Sequence, residues 1–535
     1  MRLRSGCALS LGLAAVCAAC DTPTQYDDSR RASVVGSDKT VLVGFAQPPG
    51  AAEIALIESF GGRVTHRYQY IPWVVATIPE SQQAALAAAP GVIDVGENYP
   101  LIPFGTRQVV DWGVQHIEAP AAWAAGFRGE GVKVGIFDSG IDVDHPDLVV
   151  GGGLSLVDGD PSLDDCNGHG THVAGIVGAK NNGTHTVGVA PAAQLYSMRL
   201  SDCAWAGGTV AKMIQLIEWA IDNKMDVVNM SFGFLLTGGV VPSPLSPSAA
   251  ADAAFRAAYQ AGIVLVAASG NSLSGVGGNV PYVSYPAAHP DVIAVGATDD
   301  ADMLSTFSQW GEQQELTAPG VANLSSYLVG LGLETSIFVR TDGDRELDAI
   351  PMQFSAQTPR KGITAQAIYA LAGTPVDYSL QSCTGKTAVV ARGGPTFAQK
   401  AEWARDAGCL ALIVHNNQPG TFNGTLGAAQ DPQGRPWLPV VSITLDDGLY
   451  LKDQIDSQPT TTTLFNVPGN LAVFSGTSMA SPHASGVAAL ILSKYPDATP
   501  ATVRSILQNS ADDLGAPGWD PVFGYGRVNA RRAVQ

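Results

Sequence analysis

A serine with the setting of a nucleophile lies at a predicted strand-to-helix junction near the end of this 535-residue chain. Ser478 follows the apolar run LAVF and begins a long alanine-rich segment of helical character. The first N–H groups of a helix lack partners within it and the helix dipole is positive there, so the position suits a reaction that develops an oxyanion. A lone serine before a helix is more often an N-cap, so the presence of catalytic partners elsewhere in the chain must decide whether Ser478 is a nucleophile.

Three residues at other junctions are candidate partners. His169 lies in NGHGTHVAG with glycine on both sides, which leaves room for a substrate backbone, whereas His172 is better explained as a packed histidine. Asp138 ends the apolar strand VKVGIFD, and α/β sheets form their active sites at the carboxyl ends of parallel strands. Asn271 ends VAASGN. For Asp138 a helix or turn cap, and for Asn271 a turn residue, are the alternatives.

The elements that must position these residues form an α/β pattern. From residue 132 to about 320, apolar strands alternate with amphipathic helices, which predicts a doubly wound parallel sheet covered on both faces. The pattern resumes after residue 465 with helices over 478–493 and 499–509. Between them, residues 324–465 are β-rich with a single clear helix, AQKAEWARDAG, so we predict an inserted domain.

The N-terminal region has the layout of an export signal. Arg2 and Arg4 precede an apolar run over 8–19, so residues 1–20 are a predicted signal and 21–37 a polar linker. Ala18-Ala19-Cys20 resembles a bacterial lipobox, with Cys17 as a departure, so a lipid-anchored envelope protein and a secreted one both stay open. Residues 38–106 follow a βαββαβ pattern, which fits a small α+β propeptide or an ordinary N-terminal domain.

Charge and cysteine content narrow the class of protein. The formal charge of −18, from 30 basic against 48 acidic side chains, argues against a nucleic-acid partner or an anionic membrane surface. Four cysteines lie outside the signal: Cys166, Cys203, Cys383 and Cys409. Because these four cysteines include no C-x-x-C pair, an exported protein with this even number favours disulfides over metal ligation, with free buried thiols as the alternative.

Taken in order, the motifs resemble those of the subtilisin-like serine proteases (subtilases, peptidase S8). The segments that carry the resemblance are VKVGIFDSGID, HPDL, NGHGTHVAGIV, GVAPAAQLYSMRL, VVNMSFG, VAASGN, SYPAAHPDVIAVGA, FSQWG, APG and SGTSMASPHASGVAAL. The resemblance implies that Ser478 is the nucleophile, His169 the general base and then acid, Asp138 the carboxylate that orients the imidazole, and Asn271 an oxyanion donor.

The same resemblance implies a function and a domain organisation. It predicts an exported serine endopeptidase that hydrolyses proteins or peptides through an acyl-enzyme, acts as a monomer, and is made as a zymogen that processes itself near Arg107. Residues 38–106 resemble the inhibitor-like propeptide, 107–323 and 466–535 the two parts of the catalytic domain, and 324–465 a protease-associated domain. The implied substrate-binding residues are Gly207, Gly208, Ser231, Phe232 and Gly233.

The loop AKNNGTHTVG resembles a calcium-binding loop of the family, and Ca²⁺ prefers six or more oxygen ligands. The implied ligands are Gln108, Asp147, Lys180, Asn182, Thr184 and Thr186. His185 departs from the family's frequent glycine, so a loop without calcium is the alternative.

Disulfide pairing is implied as well. A Cys166–Cys203 bridge matches one branch of the family, and a Cys383–Cys409 bridge would lie within the insert, where Gly394 replaces the usual cysteine.

The rival function is an inactive family member that binds partners through the insert. Occupation of all four catalytic positions favours the enzyme.

Overall fold

In a computed structural model of the chain, the described residues are 38–97, 108–233, 246–272, 281–340 and 345–535. The predicted signal, the linker, Cys20 and Arg107 lie outside these ranges. The chain divides into two compact units, residues 1–104 and 105–535. Within the described ranges, no helix is long and apolar enough to cross a membrane.

The first unit is a four-stranded antiparallel sheet with two helices. Its elements are β1 (Asp38–Phe45), α1 (Ala51–Ser59), β2 (Arg63–Arg67), β3 (Trp73–Pro79), α2 (Gln83–Ala87) and β4 (Val92–Glu97). The strand order is β2-β3-β1-β4, and the element order matches the predicted βαββαβ pattern. Alternate residues of β1 and β3 form the core with Ile57 of α1 and Leu86 of α2, because successive strand side chains face opposite sides of a sheet.

The second unit is built on a seven-stranded parallel sheet. Its elements as far as the last strand of that sheet are α3 (Trp112–His116), α4 (Ala119–Ala124), β5 (Lys133–Asp138), β6 (Val150–Ser155), α5 (His169–Gly178), β7 (Gln194–Arg199), α6 (Val210–Asp222), β8 (Val227–Met230), α7 (Ala249–Gln260), β9 (Val264–Ala268), β10 (Val292–Thr298) and β11 (Leu316–Pro319). The strand order is β11-β10-β9-β8-β5-β7-β6, with all pairs parallel.

Both faces of this sheet are covered by apolar cores. Along β9, Val264 and Val266 contribute to one core, whereas Leu265 and Ala267 contribute to the core formed with α6 and α7. All five residues of β9 are buried, as expected for a strand whose two faces both pack against other elements. The prediction of a doubly wound α/β fold is therefore confirmed.

The remaining elements comprise the insert, which extends from a pair of antiparallel strands, and the three helices that follow it. They are β12 (Asn323–Ser326), β13 (Gly332–Arg340), β14 (Arg345–Asp348), β15 (Ile350–Pro351), β16 (Ile363–Tyr369), α8 (Pro375–Leu380), β17 (Thr387–Ala391), α9 (Phe397–Asp406), β18 (Ala411–His415), β19 (Val440–Ile443), α10 (Leu445–Ser457), β20 (Thr461–Gly469), β21 (Leu471–Phe474), α11 (Thr477–Lys494), α12 (Pro500–Ser510) and α13 (Ala530–Ala533). Because β12 pairs antiparallel with β21, the chain leaves and re-enters the α/β part of the second unit at adjacent points.

The insert contains three helices among its described residues, not the single helix expected from the sequence. Besides α9, it has the short α8 and the longer α10, which Thr444 caps by accepting a hydrogen bond from the Asp447 N–H. Gly448 lowers the helix propensity of α10 but is needed there, because a Cβ at this position would lie 2.1 Å from the Cβ of His415. The insert is thus a mixed sheet flanked by helices, in which β16 to β19 pair in parallel.

A buried carboxylate joins the insert to the α/β part of the second unit. Asp111 accepts hydrogen bonds from the N–H groups of Gly113 and Leu324, each at 2.9 Å, and from Asn423 Nδ2 of the insert at 2.7 Å. Burial raises the pKa of Asp111 to about 7 in spite of these donors. One side chain therefore connects α3, β12 and the insert.

Candidate active site

Four neighbouring strands end at the same edge of the parallel sheet, here called the carboxyl edge. In the order β9-β8-β5-β7, the first two strands are followed by the segments that contain Asn271 and Ser231, β5 ends at Asp138, and β7 is followed by the segment that contains Gly207. The chain connections run to opposite sides of β5, so Asp138, its last residue, lies where ligands bind in open α/β sheets.

Asp138 and His169 are joined by a two-point contact. Nδ1 of His169 lies 2.8 Å from Oδ1 and 3.0 Å from Oδ2 of Asp138. Asp138 is 0% exposed, and the His169 side chain is 18% exposed. Burial lowers the pKa of His169, but the charge of Asp138 and its hydrogen bond outweigh this effect, so the pKa is raised above its ordinary value.

Asp165, which the sequence interpretation did not single out, holds the start of α5. Its Oδ1 accepts from the Gly168 N–H and from Ser139 Oγ, each at 3.0 Å, and its Oδ2 accepts from the N–H of Thr171 at 3.0 Å. The Thr171 N–H belongs to the first turn, whose donors have no partner within the helix, so Asp165 satisfies a donor at the start of α5. In the sequence, an aspartate shortly before a predicted helix was the signal that could have identified this role of Asp165.

The first turn of α11 is fastened to the segment after β8 by Ser478 itself. Pro482 has no N–H, so the carbonyl of Ser478 cannot accept the usual helical hydrogen bond from it. That carbonyl instead accepts from Ser231 Oγ at 2.9 Å, and Ser478 Oγ donates to the Ser231 carbonyl at 3.1 Å. The internal proline thus frees an acceptor that fixes the candidate nucleophile.

A buried polar network continues this attachment. Asn229 of β8 donates to Ser231 Oγ at 2.9 Å and accepts from Ser485 Oγ at 2.9 Å, while the hydroxyls of Ser231 and Ser481 are 3.0 Å apart. Buried hydroxyls need such partners. Two further serines of α11 therefore anchor the helix that begins beside Ser478.

Asn271 and Ser478 direct N–H donors into one small space. A Cβ added to Gly476 would lie 3.4 Å from Asn271 Nδ2 and 3.6 Å from the Ser478 backbone nitrogen. The other end of the Asn271 carboxamide is occupied, because Oδ1 accepts from the N–H and the hydroxyl of Thr477 at 3.0 and 2.9 Å. The absence of a side chain at residue 476 keeps this space open.

Asp138 and Ser478 both lie at the carboxyl edge, and no hydrogen bond joins His169 directly to Ser478 among the described residues. The register that pairs Phe137 with Met230 brings Asp138 alongside Ser231, whose carbonyl accepts from Ser478. Catalytic hydrogen bonds are often long before substrate binds. His172, by contrast, is fully buried, stacks on Phe474 and has a pKa lowered to about 3, chiefly by burial, which fits the expected packed histidine.

The expected substrate-binding segments flank this centre. In the described part of the chain, no backbone hydrogen bond joins Gly207 or Gly208 to another residue, and both are exposed. On the other side, Ser231 is buried, Phe232 half-buried and Gly233 exposed. These segments follow β7 and β8, the two neighbours of β5, so they lie on either side of Asp138.

The proposed calcium ligands come together around one point. Three carbonyl oxygens, of Lys180, Thr184 and Thr186, lie 2.7, 3.3 and 3.0 Å from Gln108 Nε2. The buried Asp147 carboxylate is adjacent, accepting from Asn182 Nδ2 at 2.9 Å and from the Thr186 N–H at 3.2 Å. Rotation of the Gln108 carboxamide would present its oxygen, so the donor set fits a hard cation.

His185 introduces a positive charge beside this loop. Its Nδ1 lies 3.5 Å from Asp147 Oδ1, and its Nε2 lies 3.6 Å from Glu334 Oε1 of β13. The neighbouring carboxylates of Asp147 and Glu334 raise the pKa of His185 to about 9. Among the described residues, no cluster of three His, Cys, Asp or Glu side chains could hold a metal ion.

Both disulfides are formed in the structure. Cys166 is bonded to Cys203, which links the loop before His169 to the loop after β7. Cys383 is bonded to Cys409 within the insert.

Comparison with known proteins decides the family. Residues 129–346 and 336–526 match the model of the subtilase family, Peptidase_S8. The chain belongs to the subtilase family. This subtilase is 40% identical over 262 residues to the alkaline protease of Shouchella clausii, a match that covers 49% of this chain and 64% of the relative. It is 38% identical over 291 residues to subtilisin E of Bacillus subtilis strain 168, covering 54% and 72%.

A solved structure extends the comparison to most of this subtilase. The subtilisin-like protease Apa1 of the Antarctic psychrotroph Pseudoalteromonas sp. AS-11 superposes with a TM-score of 0.63 at 28% identity, covering 80% of this chain and 97% of that one. The predicted subtilisin-like fold is therefore confirmed. The chain spans slightly less than two thirds of the alkaline proteases that it matches, at 64% of their length.

Proposed function

We propose that this subtilase is an exported serine endopeptidase in which Ser478 is the nucleophile. The observation that carries the proposal is the meeting, at one sheet edge, of the Asp138–His169 pair, Ser478 and the two N–H donors of Asn271 and Ser478. Family membership supports it, because the subtilase relatives named above are proteases. Proteins or peptides are accordingly the proposed substrates.

The mechanism follows from the orientation of His169. Because Nδ1 donates to Asp138, Nε2 carries the lone pair and takes the proton of Ser478 Oγ as that oxygen attacks the substrate carbonyl. The hydroxyl must first turn from the Ser231 carbonyl. The oxyanion is stabilised between Asn271 Nδ2 and the Ser478 N–H, and His169 then protonates the leaving amine. Water hydrolyses the acyl-enzyme by the reverse proton transfers.

Substrate binding is proposed to occur by strand addition. An extended peptide between Gly207–Gly208 and Ser231–Gly233 would pair its backbone with both segments, which accounts for affinity without side-chain selectivity. The exposed glycines at 207, 208 and 233 support this proposal, since they leave space for the peptide.

A fluorophosphonate probe tests the proposal directly. We expect the mature protein to be labelled on Ser478, and Ser478→Ala to abolish labelling. Ser493→Ala, which alters a hydroxyl near the end of the same helix, is the matched control and should label normally. Failure of the wild-type protein to label after removal of residues 1–107 would favour the inactive binding module instead.

We also propose that the first unit is a propeptide, removed by the enzyme's own cleavage near Arg107. Its compact fold, separate from the second unit, supports a removable inhibitor. Full-length Ser478→Ala should accumulate as uncut precursor, and persistent cleavage in that variant would exclude autoprocessing. Mass spectrometry of the mature N-terminus identifies the cut, and in the precursor it tests whether Cys20 carries lipid.

Calcium binding is proposed for the Asp147 loop. Gln108, Asp147 and Asn182 would supply side-chain oxygens, and Lys180, Thr184 and Thr186 carbonyls, as supported by their convergence. When bound there, the cation would stabilise the loop and take no part in hydrolysis. Cleavage before Gln108 would free that residue to join the site.

A further inference from the structure

We infer that Trp205 determines substrate preference, by favouring a large apolar side chain at the substrate position that lies against the His169 imidazole. The inference rests on the proposed peptidase function and adds a residue that the motifs do not include. Trp205 lies in the loop after β7, two residues before the proposed substrate segment Gly207–Gly208.

The indole of Trp205 borders His169 and remains accessible. The two ring centroids are 5.0 Å apart and the rings meet edge to face at 79°. Trp205 is 38% exposed, so part of its apolar surface is uncovered beside the His169 side chain. Exposed tryptophans next to a binding site commonly supply much of its contact energy, since a partner can bury them at low entropic cost.

The backbone that carries this ring is held in an unfavourable conformation. Trp205 has φ of 59°, which bulky residues rarely adopt. Asp202 maintains the turn by accepting from the N–H groups of Ala204 and Ala206 at 2.9 and 2.8 Å. Cys203 is bonded to Cys166, and its carbonyl accepts from Asn167 Nδ2 at 2.8 Å. The loop therefore presents the indole in a defined position.

The geometry selects one substrate position. A peptide paired with Gly207–Gly208 points alternate side chains to the same side, and only one of them reaches the surface formed by His169 and Trp205. An aliphatic or aromatic side chain there covers the exposed indole, whereas glycine leaves it in water. Burial of a few methylene groups in such a contact is worth about tenfold or more in kcat/KM.

The experiment compares peptides that carry leucine or glycine at each of the four positions before the scissile bond. Wild-type protein, Trp205→Phe and Trp205→Ala are assayed, and the two variants keep a Cβ at the same positive φ. Trp205→Gly is a second ring deletion that suits this φ. All proteins are first titrated with the fluorophosphonate probe, so that kcat/KM refers to active sites.

We expect the leucine-to-glycine ratio of kcat/KM to fall about tenfold in Trp205→Ala and Trp205→Gly at one position only, and to stay near wild type in Trp205→Phe. In the two ring-deletion variants, kcat/KM for the glycine peptide should fall much less than that for the leucine peptide, with an unchanged pH profile. An unchanged ratio in labelled ring-deletion variants overturns the role of Trp205. An equal loss for both peptides with a shifted pH profile also overturns it, because Trp205 would then act through His169. If wild-type protein neither labels nor cleaves any peptide, the proposed function itself fails, and this inference with it.

Discussion

The carboxamide of Asn271 is held by Thr477, the residue directly before Ser478. Oδ1 of Asn271 accepts both the backbone N–H and the hydroxyl of Thr477, at 3.0 and 2.9 Å. With its oxygen engaged, the carboxamide directs Nδ2 to the space beside Gly476. The start of α11 thus orients a donor that comes from the end of β9.

Removal of this donor should slow the chemical step. For Asn271→Leu, which keeps the size of the side chain but has no N–H, we expect kcat to fall about 10²- to 10³-fold with KM little changed. Thr477→Val, which removes one of the two bonds that hold Asn271, should have a smaller effect. Steady-state kinetics on a peptide substrate measure both. Asn509→Leu, at an exposed position of α12, is the control. A wild-type kcat for Asn271→Leu would contradict the oxyanion assignment.

Asp138 should control the pH dependence of activity. Catalysis requires neutral His169, and since its pKa is raised, the acid limb of kcat/KM should lie above the pH at which an ordinary histidine titrates. Asp138→Asn removes the charge that opposes burial, so this limb should move to lower pH while kcat falls about 10⁴-fold. Asp158→Asn, at an exposed surface position, should change neither. An acid limb that does not move would show that Asp138 does not set the pKa of His169.

Chelation should destabilise the folded protein. A ligand that binds only the native state stabilises it by about 2.7 kcal/mol at a hundredfold excess over Kd, so EDTA should lower the melting temperature by several degrees. Asp147→Asn should make the melting temperature insensitive to EDTA, whereas Asp144→Asn, an exposed neighbour, should preserve the response. A wild-type melting temperature unchanged by EDTA would refute the calcium site.

The two disulfides should differ in their effect on activity. Replacement of both cysteines by serine should cost about 3 to 4 kcal/mol of unfolding free energy at either bridge, since the sequence separations of 37 and 26 residues are similar. Loss of Cys166–Cys203 should also lower kcat/KM, because that bridge adjoins His169 and Trp205. Loss of Cys383–Cys409 should leave kcat/KM unchanged. Urea unfolding and peptide kinetics separate these effects, and equal kinetics for both double variants would contradict this distinction.

Much of the fold was predictable because its signals are local. Buried parallel strands require continuous apolar runs, as in β9, and the alternation of such runs with amphipathic helices defines a doubly wound sheet. Inside the insert the local signal failed at α10, where Gly448 weakens the helical pattern. The tertiary contact with His415 explains that glycine and could not be read from the residues around it.

The sequence by itself determined the fold class and the chemical types of the candidate site residues, since periodicity and ordered motifs depend only on the chain. Tertiary structure decided how those residues are held. The contact of the Ser478 carbonyl with Ser231, that of Thr477 with Asn271 and that of Ser139 with Asp165 all join groups that are distant in the sequence, so packing determines the partner. Trp205 shows the same division: its position beside His169 depends on a disulfide and a turn that bring distant segments together. Side-chain direction and long-range hydrogen bonds arise only when the sheet aligns its strand ends.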